Sequence, residues 1–259
     1  MLKVFKYSFL DLMRNRWTLG YFLFFACSTF GLLYLSGDSS KVVISTMNII
    51  ILLVPLVSLI YGQMYLYQVR DYVEILLAQP ISRQAIFGGY YLALAAALSI
   101  SLLLGLCIPI LIVQPEGVVA NGWLSLLAIS AILTFVFIGI ACNLVLRFDN
   151  RLKGFGVGLF IWLFLAIIYD GLILVIMLLF ENYPLENASL ILTLLNPIDA
   201  GRVLLIFQLD YSALMGFTGA VFAKFFGTLI GSLVLTFGFG MWLFVPLMQL
   251  MRKAKRKDF

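Results

Sequence analysis

The sequence contains no histidine, and its three cysteines stand singly inside apolar runs, at Cys27, Cys107 and Cys142. Without histidines or spaced cysteine pairs, neither a disulfide framework nor a zinc site is indicated, so we expect the chain to bind no metal or other cofactor itself. The protease motifs Gly-x-Ser-x-Gly and His-Glu-x-x-His are also missing. Because a membrane protease would need a histidine base or metal ligands, an enzyme is the least favoured class of protein. No Gly-x-x-x-x-Gly-Lys-Ser/Thr loop occurs, so the chain is not expected to hydrolyse a nucleotide itself.

Charged residues are scarce as well. They make up 11% of the 259 residues, whereas 63% are hydrophobic and the mean hydropathy is +1.10. Ordinary soluble domains carry roughly 25% charged residues. The composition therefore predicts a membrane protein with no room for a separate soluble domain.

Six apolar runs are long enough to cross a hydrocarbon core of about 30 Å, which takes roughly 20 residues of helix. They are Trp17–Ser36, Val43–Leu66, Ala85–Val113, Trp123–Leu146, Phe155–Phe180 and Phe225–Met251. Runs of this length without alternation are helices, because lipid offers no partner to unpaired backbone groups. The sequence thus predicts an all-α polytopic membrane protein with a six-span domain over residues 17–251.

The basic residues are distributed unevenly between the two sides of these spans. With the N-terminus inside, only Lys41, Arg202 and Lys224 of the seventeen Lys and Arg residues fall in outer segments. This positive-inside bias predicts that both termini are cytoplasmic, including a basic tail over residues 252–259. We attribute the net charge of +5 to topology and contact with anionic membrane lipids, and not to nucleic-acid binding.

Residues 1–16 precede the first span and carry Phe5 and Phe9 at helical spacing, opposite Lys3 and Lys6. This pattern predicts a helix that lies in the membrane interface. A frayed basic tail is the alternative.

The connection after the second span, residues 70–84, combines charge, a short apolar helical pattern and a stop signal. Its residues of interest are Arg70, Asp71, Glu74, Ile75, Leu76, Leu77, Pro80, Ile81, Ser82 and Arg83. Proline is expected to end the helix, because it lacks an N–H donor and disfavours the α conformation in the residue before it. We interpret the segment as a cytoplasmic amphipathic helix that docks in a groove of a partner protein. An ordinary solvated loop is the alternative.

Glu74 follows Arg70 by one helical turn, so an ion pair between them is possible. Such a pair contributes only a few tenths of a kcal/mol, which is too little for a structural role. A carboxylate directed at a basic groove of the partner is the alternative interpretation.

One ionisable residue, Asp170, lies clearly inside a predicted span, next to Tyr169. A carboxylate there is costly unless it faces a wet cavity or a partner. We consider two roles for Asp170: a gate or interface residue that faces the interior, or a protonated acid bonded to a neighbouring helix. A lone acid, without a second acid or a histidine, would make a poor proton relay.

The last outer loop, residues 181–224, is too long for a passive connection. Asn196 and Pro197 form a helix start, because asparagine caps and proline fits the first turn. The helix Pro197–Leu209 would be about 20 Å long, too short to span a membrane. With a second weak helix over Tyr211–Phe222, we predict either two short helices across the outer mouth or a shallow re-entrant hairpin.

Together these features resemble the permease subunits of ABC transporters of the ABC-2 type. The resemblance rests on the run Glu-Ile-Leu-Leu-Ala-Gln-Pro-Ile-Ser-Arg from Glu74 to Arg83, on the N-terminal helix, which matches the elbow helix of that family, and on short helices before the last span. Residues Leu66–Val73 depart from the family's usual Glu-x-x-x-Gly-Thr. The resemblance implies a homodimer of permeases in a bacterial inner membrane. It also implies two cytoplasmic ATPase subunits that bind ATP and Mg²⁺, while this chain is not catalytic.

Within that family, the sequence is similar to permeases that serve the maturation of nitrous oxide reductase. The similarity involves Tyr169, Asp170, Asn196, Pro197, Asp199, Arg202, Asp210, Met215 and Gly216. It implies a periplasmic accessory protein of β-helix type on the outer loop and a role in building a copper-sulfide site. The cargo would be a sulfur species, or the chain would transmit force alone. A general ABC-2 exporter of a drug, lipid or polysaccharide is the first alternative, and a membrane anchor without transport is the second.

Overall fold

A computed structural model of the chain describes residues 2–36, 39–113, 120–180, 186–208 and 229–256. Regular structure within these ranges is entirely helical, which confirms the all-α prediction. The helices are α1 (Leu2–Met13), α2 (Arg16–Ser36), α3 (Ser39–Gln68), α4 (Arg70–Leu77), α5 (Arg83–Val113), α6 (Ala120–Arg147), α7 (Arg151–Leu163), α8 (Tyr169–Leu179), α9 (Glu186–Leu195), α10 (Pro197–Gln208) and α11 (Leu229–Arg256). A π-helical segment, Phe164–Ile168, joins α7 to α8 without a break.

Five helical stretches are long and apolar enough to cross a membrane, and they coincide with the first five predicted runs. They are Arg16–Ser36, Lys41–Gln68, Arg83–Val113, Gly122–Arg147 and Arg151–Leu179. Helix α11 overlaps the sixth predicted run, which extends beyond the described part of the chain. The sixth span therefore stays a prediction.

Helices α3, α5 and α6 form the centre of the bundle. Helix α3 packs chiefly against α6, while α1 and α2 pack against α5. Large side chains such as Leu59, Leu94 and Phe137 are fully buried there. Small residues permit the closest approaches: a Cβ on Gly105 would lie 2.9 Å from the carbonyl oxygen of Phe22. Close packing of this kind holds helices together where no water drives their association.

Helix α1 confirms the helical pattern predicted for the N-terminal segment. Its buried residues Val4, Ser8 and Leu12 face the bundle, and the rings of Phe5 and Phe9 stack with centroids 5.7 Å apart. Its position in the membrane interface stays a prediction.

The fifth candidate span, formed by α7, the π-helical segment and α8, is the least buried of the five. In its most apolar stretch 6% of the residues are buried, compared with 56% in α6. It approaches α3 closely at Gly154 and Gly158, and the indole of Trp162 donates to the carbonyl of Leu52 at 3.0 Å. The amide of Gln63 on α3 donates a hydrogen bond to the Gly154 carbonyl at 3.0 Å. Most of this span therefore presents apolar side chains to its surroundings.

Helices α9 and α10 form a hairpin whose corner, at Asn196, reaches deep into the bundle. The Asn196 amide donates to the carbonyl of Leu165, halfway along the fifth span, at 2.7 Å. The indole of Trp242, halfway along α11, donates to the carbonyl of Leu194 at 3.0 Å. Both arrangements predicted for the outer loop include the second helix, Tyr211–Phe222, so the choice between them stays open.

Helix α10 begins at the predicted Pro197 and ends one residue before the predicted Leu209. Helix α9 was not predicted. The second predicted helix, Tyr211–Phe222, lies outside the described residues. The same holds for Asp210, Met215 and Gly216.

Candidate functional site

Helix α4 runs from Arg70 to Leu77, and one residue, Val69, separates it from the end of α3. Pro80 was expected to terminate the helix, but the helix ends earlier. The chain turns at Ala78, whose N–H bonds to the carbonyl of Leu76, and the N–H of Ile81 then bonds to Gln79 at 2.7 Å. Ser82 starts the next helix by accepting hydrogen bonds from Ala85 and Ile86.

Most of the apolar residues of α4 face the chain's own core. Val73 is buried. Leu76 and Leu77, together with Ile81 beyond the helix, are partly buried and pack against the core. These three were predicted to be offered to a partner; they are partly buried in the chain alone, and their contact with a partner stays a prediction. A helix on the bundle surface buries its apolar stripe against the bundle, as amphipathic helices do.

A small mixed surface on α4 remains open. Tyr72 and Ile75 are 67% and 62% exposed, and Asp71 and Glu74 are exposed beside them. Two apolar side chains flanked by two carboxylates can insert into a shallow groove with basic edges. We call these four residues the α4 face.

Arg70 ties α4 to the turn between α6 and α7. Its Nη2 lies 2.9 Å from Oδ1 of Asp149, and its Nη1 donates to the Asp149 carbonyl at 3.3 Å. The predicted contact with Glu74 is present but longer, at 3.7 Å from Nε. Sequence spacing could suggest the partner four residues away, but nothing in it pointed to Asp149, which lies 79 residues further on.

The same turn is fastened to the end of α3. The hydroxyl of Tyr67 donates to the carbonyl of Phe148 at 2.7 Å, and Nη2 of Arg151 donates to the carbonyl of Tyr67 at 3.3 Å. Asn150 caps α7 by accepting from the N–H of Leu152 at 2.9 Å. The α4 region and the first turn of the fifth span therefore form one connected unit.

Basic residues gather at this end of the bundle, which we call the basic end. They include Arg70, Arg83, Arg147, Arg151, Lys153, Arg252, Lys253 and Lys255. Gln84, at the start of α5, donates to the carbonyl of Met251 at 3.2 Å and so joins α11 to the same end. Burial and the neighbouring Arg147 both lower the pKa of Lys253.

A groove of about 580 Å³ separates α4 from α1. Its lining residues include Lys3, Tyr7, Asp11, Tyr65, Tyr72 and Leu76. The hydroxyl of Tyr65 donates to Oδ2 of Asp11 at 3.1 Å across its floor. This side of α4 therefore faces an open groove.

A second polar cluster lies where the hairpin meets the fifth span. Nη1 of Arg202 on α10 is 2.6 Å from Oδ2 of Asp170 on α8, and 3.4 Å from Oδ1 of Asp199. Asn196 holds Asp199 through Nδ2, at 2.7 Å from Oδ2. The sequence suggested that Asp170 is a lone acid, but the structure places Asp199 and the guanidinium of Arg202 beside it.

Two further bonds fix this junction. The hydroxyl of Tyr169 donates to the carbonyl of Leu192 on α9 at 2.7 Å. The amide oxygen of Asn196 accepts from the N–H of Ile198 at 3.1 Å and caps α10, as the Asn-Pro pair predicted. Burial and the adjacent Asp170 raise the pKa of Asp199 to about 7, although Arg202 and Asn196 act against the rise.

Residues 41–245 match the ABC-2 family transporter protein family. The matched range runs from α3 into α11 and includes both the α4 face and the cluster of Asp170, Asp199 and Arg202. Because the match spans most of the sequence, the chain belongs to this family, as the sequence resemblance indicated. It is a membrane permease of an ABC transporter, a class that works with ATPase partners.

Two relatives carry the name probable ABC transporter permease protein NosY. The one from Pseudomonas aeruginosa is 25% identical over 223 residues, which cover 80% of this chain and 81% of the relative. The one from Stutzerimonas stutzeri is 25% identical over 211 residues, covering 75% and 76%. The chain is similar to these permeases along most of their length.

Proposed function

We propose that this chain converts the closure of a partner ATPase, felt at α4, into movement of the α9–α10 hairpin. The observation that carries this proposal is that the fifth span is bonded to both regions. Arg70 joins α4 to Asp149 beside its first turn, and Asn196 and Arg202 join the hairpin to its middle. A continuous helix bonded at both places would transmit a displacement from one to the other.

The basic end would face the cytoplasm of a bacterial inner membrane. The surplus of basic residues at that end supports this orientation, because Lys and Arg are retained on the cytoplasmic side. Helix α11 would then be the sixth span, both termini would be cytoplasmic, and the hairpin would open toward the periplasm. The N-terminal helix α1 would serve as the interfacial elbow.

Two ATPase subunits would dock at the α4 faces of a permease homodimer and supply ATP and Mg²⁺ binding, while this chain is not catalytic and binds no cofactor. A second copy of the chain would cover the exposed apolar face of the fifth span. That helix carries its apolar residues outward, among them Phe160 and Leu174, which are 62% and 61% exposed. Burial of this face between two copies would also shield Asp170 from lipid, where an ionisable residue is costly.

The process served would be maturation of the copper-sulfide site of nitrous oxide reductase, with a periplasmic β-helix accessory protein on the outer loop. The support is the likeness to two permeases named NosY, together with the residues around Asn196 and Arg202. Either a sulfur species or force alone would be passed on. A general ABC-2 exporter of a drug, lipid or polysaccharide remains the second candidate, because the family match covers that class equally.

Charge reversal on the α4 face tests the coupling proposal. Glu74→Lys should leave the complex with the ATPase assembled, because Glu74 is 53% exposed and bonds only loosely to Arg70. ATP hydrolysis should continue while active nitrous oxide reductase fails to accumulate in cells. Asp71→Lys makes the same charge change one turn earlier and shows whether the effect belongs to Glu74. Normal maturation in both variants would contradict docking through α4.

A further inference from the structure

The cluster of Asp170, Asp199 and Arg202 holds more negative charge than its own side chains balance. One guanidinium nitrogen contacts both carboxylates, at 2.6 and 3.4 Å. If both acids are ionised, one negative charge stays uncompensated. Asp199 is only 6% exposed, so water does not screen that charge. Burying an unpaired charge is costly, and such a group takes up a proton instead.

The hydrogen bonds of Asp199 lead to the same conclusion. Its Oδ2 accepts from Asn196 at 2.7 Å, but its Oδ1 is buried and has no hydrogen-bond partner. Oδ1 of Asp199 and Oδ2 of Asp170 both contact Nη1 of Arg202, so the two carboxyl groups lie side by side. Two carboxylates are both acceptors, so they can bond to each other only when one of them carries a hydrogen. A single proton would satisfy Oδ1 and remove the excess charge together.

Asp199 stands in the first turn of α10, where the helix end carries a partial positive charge of about half a unit, so the helix end offsets only part of the excess. On α8, the Tyr169 hydroxyl is engaged with the Leu192 carbonyl. Helix α3 carries Lys41 in its first turn. The charged residues described on α6 and α11, Arg147 and Lys253 among them, lie at the basic end.

We propose that Asp170 and Asp199 form a binding site for one proton, and that release of this proton loosens the hairpin from the fifth span. With the proton bound, the cluster is neutral and the junction is closed. Once it leaves, Asp199 is stabilised by reaching water, which requires α10 to shift. The proton site stands on the geometry of this chain, while its link to transport rests on the proposed function.

The direction of the pH dependence follows from the carboxyl of Asp199. Its pKa is raised in the closed junction from the ordinary 3.8 to about 7, so the closed form binds more protons than one with Asp199 in water. Closure is therefore fully favoured below pH 3.8 and is lost as the pH rises through about 7.

Infrared spectroscopy of the full chain in lipid nanodiscs tests the site, by following the carboxylic C=O band as the pH is raised. We expect one band to disappear with a midpoint near pH 7 and to be missing in Asp199→Asn. Asp170→Asn should lower the midpoint by about one pH unit or more, because Asp199 then faces Arg202 alone. Arg202→Gln should raise it, and Asp71→Asn, on exposed α4, should leave it unchanged.

Opposite shifts in these two variants cannot come from general destabilisation. A band that persists unchanged in Asp199→Asn, or a midpoint that is the same in Asp170→Asn and Arg202→Gln, would overturn the proton site.

Hydrogen exchange measures the loosening. Amides of α10, such as that of fully buried Leu205, should lose protection above the midpoint in the native chain but not in Asp199→Asn at the same pH. Equal protection of both proteins at every pH would overturn the link between proton and hairpin. Neither measurement involves an ATPase, so a failure of the proposed coupling would leave both results unaffected.

Discussion

At the scale of single residues, Ile75 is the most exposed aliphatic side chain of α4 and therefore the one most accessible to a partner. It is 62% exposed, whereas the neighbouring Leu76 and Leu77 pack against the core. An apolar side chain displayed beside carboxylates contributes nothing to the fold where it stands. Its burial in a partner groove would remove it from water.

Truncation of this residue should weaken binding of the ATPase without affecting the fold. We expect Ile75→Ala to lower the affinity of the complex roughly tenfold, because anchor residues of an interface contribute more than about 1 kcal/mol. Titration of the purified ATPase against the permease in nanodiscs measures this. The matched control is Leu152→Ala, at an 82% exposed leucine of the same end outside the α4 face. Equal affinities for native chain, variant and control would argue against docking at Ile75.

Asn196 has three bonds and full burial, whereas most helix caps are exposed. Asn196→Ala should destabilise the chain by about 2–4 kcal/mol, because it removes the cap and the amide that donates to the Leu165 carbonyl and to Oδ2 of Asp199. Asn150→Ala removes an exposed cap alone and should cost about 1 kcal/mol. Chemical denaturation in detergent compares the two. A larger loss for Asn150→Ala would show that the hairpin corner is not held as described.

At the scale of elements, the fifth span reaches the centre of the bundle through two glycines one turn apart. A Cβ on Gly154 would collide with the hydroxyl of Tyr67, and one on Gly158 would meet Leu59 at 2.5 Å. A Cβ on Gly156, between them, would meet nothing. The alternation identifies which face of α7 packs on α3.

Gly154→Ala should therefore destabilise the monomeric chain by about 1–3 kcal/mol, since overpacking forces Tyr67 or the helix to move. Gly156→Ala should be neutral or stabilising by up to about 1 kcal/mol, because alanine favours the helix and the space is open. Thermal unfolding of the monomeric fraction in detergent separates the two. Equal effects of both changes would contradict the packing of α7 on α3.

Local patterns predicted most of the helices. Length and hydropathy located five spans, and Asn196-Pro197 located α10, because both signals lie within a few neighbouring residues. The hairpin partner α9 was missed, since Glu186–Leu195 carries no comparable start signal and is too short to stand out from an apolar loop.

Contacts between distant parts of the chain were beyond such patterns. Arg202 was placed in an outer loop, while its partner Asp170 lies 32 residues earlier in a span. Arg70 and Asp149 are 79 residues apart. A helical pattern alone also cannot decide a docking surface: Leu76 and Leu77, and Ile81 beyond α4, have the same character as Ile75 but are partly buried against the core.

At the scale of the whole molecule, the contact between Arg70 and Asp149 and the contact between Arg202 and Asp170 lie at different levels of the fifth span. Asp149 adjoins the first turn of the fifth span, and Asp170 lies five residues beyond its middle. At 1.5 Å per residue, about 30 Å of helix separates them. In the proposed mechanism this helix carries motion from the α4 face to the hairpin.

The most direct measurement is the distance between the two hairpins of an assembled dimer. A spin label at Ile191→Cys, in a chain whose Cys27, Cys107 and Cys142 are replaced, reports this distance from an exposed position on α9. With the ATPase bound, we predict that ATP shifts the distance distribution and that Glu74→Lys removes the shift while hydrolysis continues. The same distribution with and without ATP, in a complex that hydrolyses it, would contradict the account.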